Sequence, residues 1–283
     1  MAGHTTTMHT EKNRGASLYR QAMRLASGHP SSHQLRRAAR LLKAATNMGN
    51  VEATNVLGYF YDYGIGLRTN AALAFTHYHR AALQGYPDAQ YNLGACLLEG
   101  RGASKNLKFA THWLRSAVKA KVPEAFDVLG YKLRYGLGMK KNPKRGFKLQ
   151  LAAAKHGLSE AQFGVGFCLS KGQGVKSDPS EAFKWYRKAA RQGHPGAQFN
   201  LGYYYENGRG VRRNPAKAVT WYKKSALLGD GDAQFALGRI YADGVVVPRN
   251  PQASSAWFTR AGKSNDKDVR ARAKNALKKL RIK

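Results

Sequence analysis

The sequence predicts an all-α chain, an α-solenoid of about seven 36-residue helix-turn-helix repeats closed by a C-terminal capping helix. Two observations carry this. Alanines 53, 89, 125, 161, 197 and 233 are spaced by 36 residues without slippage, and each opens a variant of the phrase Ala-Gln-Phe-Asn-Leu-Gly found at Ala197. A strict period in the range of roughly 20–50 residues marks a repeat architecture, whose stacked units bury one continuous core. Within a unit, Ala197, Leu201 and Tyr205 stand at i, i+4 and i+8, one apolar stripe of a helix.

Taken in order, residues 1–16 read as a flexible polar arm. Residues 17–52 read as a degenerate capping repeat that keeps Leu41, Leu42, Ala44, Ala45 and Gly49, since a terminal repeat must close an open core. Six clear repeats fill 53–262. In the one from Ala197, Gly202 lies on the apolar stripe. A glycine inside a helix costs about 1 kcal/mol against alanine, so its return at Gly58, Gly94, Gly130, Gly166 and Gly238 predicts close approach of a partner helix. Gly208 and Gly210 end the first helix by supplying positive φ. Asn214-Pro215 then opens the second, with asparagine as N-cap and proline at the first helical position. The junction returns as Asn142-Pro143, Asp178-Pro179 and Asn250-Pro251, and without proline at Asn70 and Asn106. The second helix carries Ala218, Trp221, Tyr222 and Ala226 and ends at Gly229. Residues 263–283 read as a basic capping helix, apolar along Val269, Ala273, Ala276, Leu277 and Leu280. Arg270, Arg272, Lys274, Lys278, Lys279, Arg281 and Lys283 fill its solvated outer face.

Over 53–262 the pattern resembles the SEL-one-like repeat family, relatives of the tetratricopeptide repeats. Leu201, Gly202, Tyr205, Gly208, Gly210, Val211, Ala218, Trp221, Tyr222, Lys224, Ala226 and Gly229 all fall in register. The unit from Ala161 matches through Trp185, Tyr186, Lys188, Ala189, Ala190 and Gly193. Three departures stand out: Lys121 for a closing glycine, Leu149-Gln150 for the Trp-Tyr pair, and Val246 for a second turn glycine, which predicts a reshaped turn. The resemblance implies a right-handed superhelix and a non-catalytic scaffold or adaptor for a protein or peptide partner. It also implies that first helices line a concave groove and second helices the convex back. That geometry would face Tyr59, Ala95, Tyr131, Phe167, Tyr203 and Arg239 into the groove. The family pattern asks for no aromatic there, so Tyr59, Tyr131, Phe167 and Tyr203 are the candidate partner-groove residues.

With 48 Lys+Arg against 16 Asp+Glu the net charge is +32, a field that favours polyanions. Cations stand before every second-helix cap, at Arg68, Lys105, Lys140, Lys141, Lys176, Arg212, Arg213 and Arg249, and stacking would line them into a basic edge. Five of six caps are Asn, not the family's common Asp, which keeps that edge free of negative charge. A second row follows the Trp-Tyr positions: Arg80, Arg115, Arg187 with Lys188, Lys223 with Lys224, and Arg260. Asp62, Glu99, Asp127, Glu206 and Asp243 fall at groove-facing positions and argue against phosphate inside the groove. The expected function is a scaffold whose basic edge meets an acidic partner. The alternative is nucleic-acid or ribonucleoprotein binding, through that edge and the C-terminal helix. A membrane surface has only the charge in its favour.

No catalytic constellation emerges, and neither enzyme activity, cofactor, metal nor small-molecule substrate is expected. Ser116-Ala-Val-Lys119 matches the S-x-x-K of serine β-lactamases, an activity ascribed to some members of the family, but the companion elements are missing. His77 and His79 do not share a helical face, and His29 and His33 have no third ligand nearby. Cys96 and Cys168 lie two units apart; with stacked helices ~8–10 Å from one another they are beyond the ~7 Å reach of a disulfide. The family's extracellular members often carry a disulfide in each repeat, so the cysteine usage points to a reducing compartment. No apolar run approaches the ~20 residues of a membrane span, and the polar start is unlike a secretory signal. Residues 14–50 contain no acid, as in a transit peptide, although the same stretch reads as a decayed repeat. The expectation is a cytoplasmic protein, with a mitochondrial or other organellar matrix as the alternative.

Overall fold

The computed structural model describes residues 2–281. Met1, Ile282 and Lys283, which the expected arm and capping helix include, lie outside the described residues. Fifteen helices and no strand occur among the described residues, in an all-α solenoid of repeated helix pairs. They are α1 (Ala2–Ala26), α2 (Ser32–Asn47), α3 (Val51–Tyr63), α4 (Ala71–Leu83), α5 (Pro87–Glu99), α6 (Leu107–Lys119), α7 (Pro123–Tyr135), α8 (Pro143–Lys155), α9 (Ser159–Lys171), α10 (Pro179–Arg191), α11 (Pro195–Asn207), α12 (Pro215–Leu227), α13 (Gly231–Asp243), α14 (Pro251–Ala261) and α15 (Lys267–Arg281). The chain divides into two compact units, Met1–Leu129 and Gly130–Lys283. None of these helices is long and apolar enough to cross a membrane.

In the first unit, Ala22 of α1 and Ala38, Ala39 and Leu42 of α2 are buried with Ala53, Leu57 and Phe60 of α3. A capping box starts α2: Ser31 Oγ accepts from the Gln34 N–H at 3.2 Å, and Gln34 Oε1 accepts from the Ser31 N–H at 2.7 Å. The sequence pattern predicts a flexible arm to residue 16, whereas α1 begins at Ala2. No proline precedes Pro30 to stop it, and Leu18, Tyr19 and Leu25 pack the helix onto the α2–α3 core.

The recurrent helix-interior glycine marks close approach, as its cost predicts. In the second unit, a β-carbon on Gly202 would lie 2.5 Å from Cδ1 of Tyr222, so the ring of α12 rests directly on the α11 backbone. Gly166 meets Tyr186 and Gly238 meets Phe258 in the same way. In the first unit Gly58 meets Tyr78 and Gly94 meets Leu114. Tyr78, Tyr186 and Tyr222 are each only 1% exposed. Full burial of a large side chain contributes about 1.5–3 kcal/mol, and the missing β-carbon is what allows it.

The turn glycines do a different job. Gly208 (φ 68°) ends α11, and the next N–H, that of Arg209, donates to the Tyr204 carbonyl at 3.0 Å. Two residues on, a β-carbon on Gly210 would collide with the Pro179 carbonyl oxygen. The turn of one repeat thus docks on the first residue of the preceding second helix. Gly174 meets Pro143 likewise in the second unit, as Gly102 meets Ala71 in the first, where Gly66 instead meets Leu35 one turn into α2. Asn214 then locks the exit: its Oδ1 accepts from the Lys217 N–H at 2.9 Å, and its own N–H donates to the Tyr205 carbonyl at 2.8 Å. In the last repeat Gly244 keeps φ 71°, but Val246 does not take positive φ, and the turn is reshaped as the substitution predicts.

At the C-terminal end, α15 packs on α13 and α14, burying Val269 and Ala273 against Ala261 and Phe235. Two of its arginines, Arg272 exposed and Arg270 half-buried, are held by the repeat beneath. The Arg272 guanidinium lies 4.9 Å from the centre of the Phe235 ring and ion-pairs with Asp232. Arg270 Nη1 donates to the Ser264 carbonyl at 2.7 Å. Both tie the helix to the end of the last repeat.

Lys121 is the only non-glycine with positive φ (65°) among the described residues, standing where other repeats close with glycine. A side chain there costs about 1–2 kcal/mol, so Lys121→Gly is expected to stabilise the chain by about 1 kcal/mol in urea unfolding. A β-carbon on Gly229 (φ 91°) would meet nothing within 4 Å. Gly229→Ala is therefore expected to cost about 1–2 kcal/mol, and Gly210→Ala a further 1 kcal/mol or more, roughly, because its methyl meets backbone. Equal losses at the two sites would show that the turn does not dock on the preceding helix.

Candidate interaction surfaces

The predicted groove column lies on the first helix of each repeat. Tyr59 of α3, Tyr131 of α7 and Tyr203 of α11 are 44%, 46% and 40% exposed. Phe167 of α9 is half-buried. In the first unit Tyr59 pairs with Tyr63 at 4.5 Å between ring centres. In the second unit Tyr131 pairs with Tyr135 at 4.8 Å. Tyr63 and Tyr135 are absent from the candidates drawn from sequence, although their i+4 spacing from the chosen tyrosines is a usable signal.

Four of the acids expected in the groove are neutralised. Arg101, from the turn after α5, ion-pairs with Asp62 and, at 2.6 Å through Nε, with Glu99. In the second unit Arg239 ion-pairs with Glu206 and approaches Asp243 at 3.8 Å. Tyr222 also donates its hydroxyl to Glu206 at 2.7 Å. The first helices therefore present compensated charge, which weakens the expectation that their acids repel an anion. Arg209 occupies the place of Arg101 three repeats later, but donates to the Ser170 carbonyl at 2.9 Å instead of to a carboxylate.

The third repeat breaks the pattern in its core. Gln150 stands where other repeats bury an aromatic or leucine, and Gly146 where they have alanine or serine. The space admits Arg134, which is 4% exposed. Its Nη1 donates to Gln150 Oε1 at 2.9 Å, to the Gly164 carbonyl at 3.1 Å and to Cys168 Sγ at 2.7 Å. Nη2 donates to the Tyr135 hydroxyl at 3.0 Å. The rings of Tyr135, Phe167 and Tyr131 surround the guanidinium at 5.0, 5.5 and 5.8 Å. The structure thus brings Tyr131 and Phe167 together around an arginine that sequence reasoning passed over. Burial keeps the Cys168 thiol protonated by raising its pKa, against the pull of Arg134.

Arg68, Lys105, Lys140, Lys141, Lys176, Arg212, Arg213 and Arg249 are all exposed, and none forms an ion pair among the described residues. Each stands just before a cap residue whose N–H closes back on the first helix, as Asn70 does on Tyr61 and Asn214 on Tyr205. That closure holds the base of the turn while the cation projects. Arg213 folds back, donating through Nε to the Glu206 carbonyl at 3.0 Å. The second row behaves differently. Lys188, Lys224 and Arg260 lie over Trp185, Trp221 and Trp257 at 4.1, 4.7 and 4.7 Å, one cation–aromatic contact in each of three successive repeats. Arg80 is drawn inward to the Thr46 carbonyl at 3.3 Å.

Ser116 donates its hydroxyl to the His112 carbonyl of its own helix at 3.3 Å. His77 stacks on Tyr61 and His79 on Phe75. Among the described residues no group of three His, Cys, Asp or Glu could hold a metal ion. Cys96 and Cys168 are buried free thiols.

The family model for the Sel1 repeat matches six times, over residues 51–86, 87–121, 128–158, 159–194, 195–230 and 231–266. A Sel1 repeat protein from Oxalobacter formigenes is 32% identical, with 91% of this chain and 98% of that one covered and a TM-score of 0.76. The Escherichia coli protein c5321, described as a protective antigen with an SLR fold, is 26% identical at a TM-score of 0.74, covering 99% of this chain and 58% of its own. Yeast Tom70 shares the fold at 11% identity and a TM-score of 0.52, covering 97% of this chain and 59% of its own.

The Asp62 side chain is 7% exposed and relies on Arg101, itself 34% exposed. Arg101→Ala is expected to destabilise the first unit by about 1–3 kcal/mol, since it strands a buried carboxylate. Asp62→Asn in the same background should recover part of that loss in a double-mutant cycle followed by urea unfolding. A neutral Arg101→Ala would show the pair to be solvent-screened.

Proposed function

This chain belongs to the Sel1 repeat family, and from that premise we propose that it is a non-catalytic scaffold that holds a protein partner on the aromatic face of its first helices and meets acidic surface with its basic turns. Sel1 repeat proteins are in general protein-interaction scaffolds, and repeat stacks suit that task because they offer extended surface without a single deep site. The observation that carries the finer reading is the separation of charge from aromatics. Tyr59 and Tyr203 lie exposed on helices whose acids Asp62 and Glu206 are already paired with arginine, and Tyr131 is exposed beside Arg134. The eight cations that precede the second-helix caps form no ion pair among the described residues and sit apart, on the turns. Exposed tyrosines supply large contact area at low conformational cost. Two buried free thiols fit a reducing compartment, the cytoplasm or an organelle matrix.

A second reading is favoured by the turns alone. Eight exposed cations without carboxylate partners would bind a phosphate backbone, independently of sequence and steeply dependent on salt.

Capture from the native host with and without nuclease separates the two. Protein partners that survive nuclease and are lost in a Tyr131→Ala/Tyr203→Ala variant are the expected result. Lys176→Glu with Arg212→Glu and Arg213→Glu should abolish binding of a model oligonucleotide and of acidic proteins alike, leaving uncharged contacts in place. Retention of every protein partner by the tyrosine variant would sink the groove reading.

A further inference from the structure

We propose that the third repeat carries a carboxylate-recognition site, in which Arg134 takes one Asp or Glu side chain of a bound peptide while Tyr131 and Tyr135 pack the peptide's neighbouring apolar residues. The proposal rests on the protein-scaffold reading above and names the chemistry of its partner.

Arg134 is a guanidinium 4% exposed whose acceptors are all neutral: an amide oxygen, a backbone carbonyl, a thiol and a phenol. It forms no ion pair among the described residues, unlike Arg101 and Arg239 in other repeats. Burying a charge is costly when no opposite charge offsets it, and the three aromatic rings compensate only in part.

The bonds are also uneven around the group. Nη1 makes three of the four contacts, to Gln150 in its own repeat and to Gly164 and Cys168 in the next, so the guanidinium is held in place. Nε and Nη2 share the other edge, the fork that grips a carboxylate through two parallel hydrogen bonds. On that edge Nε is buried with no acceptor at all, and Nη2 has only the Tyr135 hydroxyl. Tyr135 is 38% exposed and Tyr131 46%, so the residue that masks the fork is at the surface and free of a packed core. A carboxylate replacing the Tyr135 hydroxyl would satisfy Nε and Nη2 together.

One buried guanidinium suits one carboxylate better than a nucleic-acid backbone, which is met by rows of exposed cations. Such rows are the property of the turns, not of this site.

The chain itself supplies a template for erasing the site. Leu98, Ala110 and Leu114 stand in the second repeat where the third has Arg134, Gly146 and Gln150. The variant Arg134→Leu/Gln150→Leu takes the two leucines and keeps Gly146, whose β-carbon would lie 2.6 Å from the Gly130 carbonyl oxygen. The probes are a fluorescent peptide with one glutamate between two phenylalanines, its glutamine twin, and a 12-mer oligouridine, titrated by anisotropy at about 0.3 M salt to screen the exposed cations.

The wild-type chain should bind the glutamate peptide at least tenfold more tightly than the glutamine twin. The variant should bind both alike, with thermal stability equal to or above wild type. No discrimination in the wild type, or discrimination that survives in the variant, overturns the proposal. So does a variant that is markedly less stable, since Arg134 would then be a structural group. Loss of oligouridine binding with peptide binding intact assigns the site to nucleic acid and overturns it too. If Tyr131→Ala/Tyr203→Ala weakens peptide binding while the Arg134→Leu/Gln150→Leu variant does not, the scaffold reading stands and only the role of Arg134 falls.

Discussion

Everything in the architecture depends on two places where a side chain must be absent. Inside the repeat, Gly202 lets the Tyr222 ring lie on the backbone of its partner helix, and between repeats Gly210 lets a turn rest on the carbonyl of Pro179. The first contact sets the spacing within a helix pair. The second couples a pair to the one before it within each unit. Packed interiors tolerate little change in volume at such contacts, which is why the same letters return at 36-residue intervals. The two kinds of glycine act for different reasons, one steric within a helix, the other steric and conformational at once.

With the backbone so constrained, variation is left to positions between the fixed letters, and there the charge is sorted. Acids on the first helices are drawn to Arg101 or Arg239 from neighbouring positions of the stack. The cations that directly precede the second-helix caps have no such partners, because the cap beside them is usually asparagine and accepts only from backbone. Apart from Arg101 with the buried Asp62, these charges lie at the surface, where pairing contributes little to stability, so the sorting bears on recognition more than on folding. The tryptophan-borne cations add a third class, whose charge is partly offset by the ring beneath.

The third repeat shows how a repeat can leave its consensus without losing its fold. Gln150 in place of an aromatic or leucine, Gly146 in place of alanine or serine, and Arg134 at a site that is elsewhere Asp62, Leu98, Ser170, Glu206 or Ala242 are one coordinated change. A β-carbon on Gly146 would press on the Arg134 backbone nitrogen at 2.9 Å, and Gln150 accepts from the guanidinium. Removing the arginine or the glutamine alone would leave a buried polar group without its partner, a cost that packing by itself does not explain.

Read from sequence alone, the chain already declares its repeat length, both helices of each pair, the interior glycine with its close neighbour, the paired turn glycines and the asparagine caps. All of these are local or strictly periodic, and period and local chemistry survive in one dimension. The exposed column at Tyr59, Tyr131 and Tyr203 was legible for the same reason, as were the turn cations. What only the tertiary structure decided are pairings between groups far apart in the chain. Arg101 reaches Asp62 across 39 residues, Arg134 reaches Gly164 and Cys168 across 30 and 34, and Arg272 covers Phe235. A charge reads as exposed in any helical pattern; whether it is paired, buried or bare depends on which side chains the stack brings beside it.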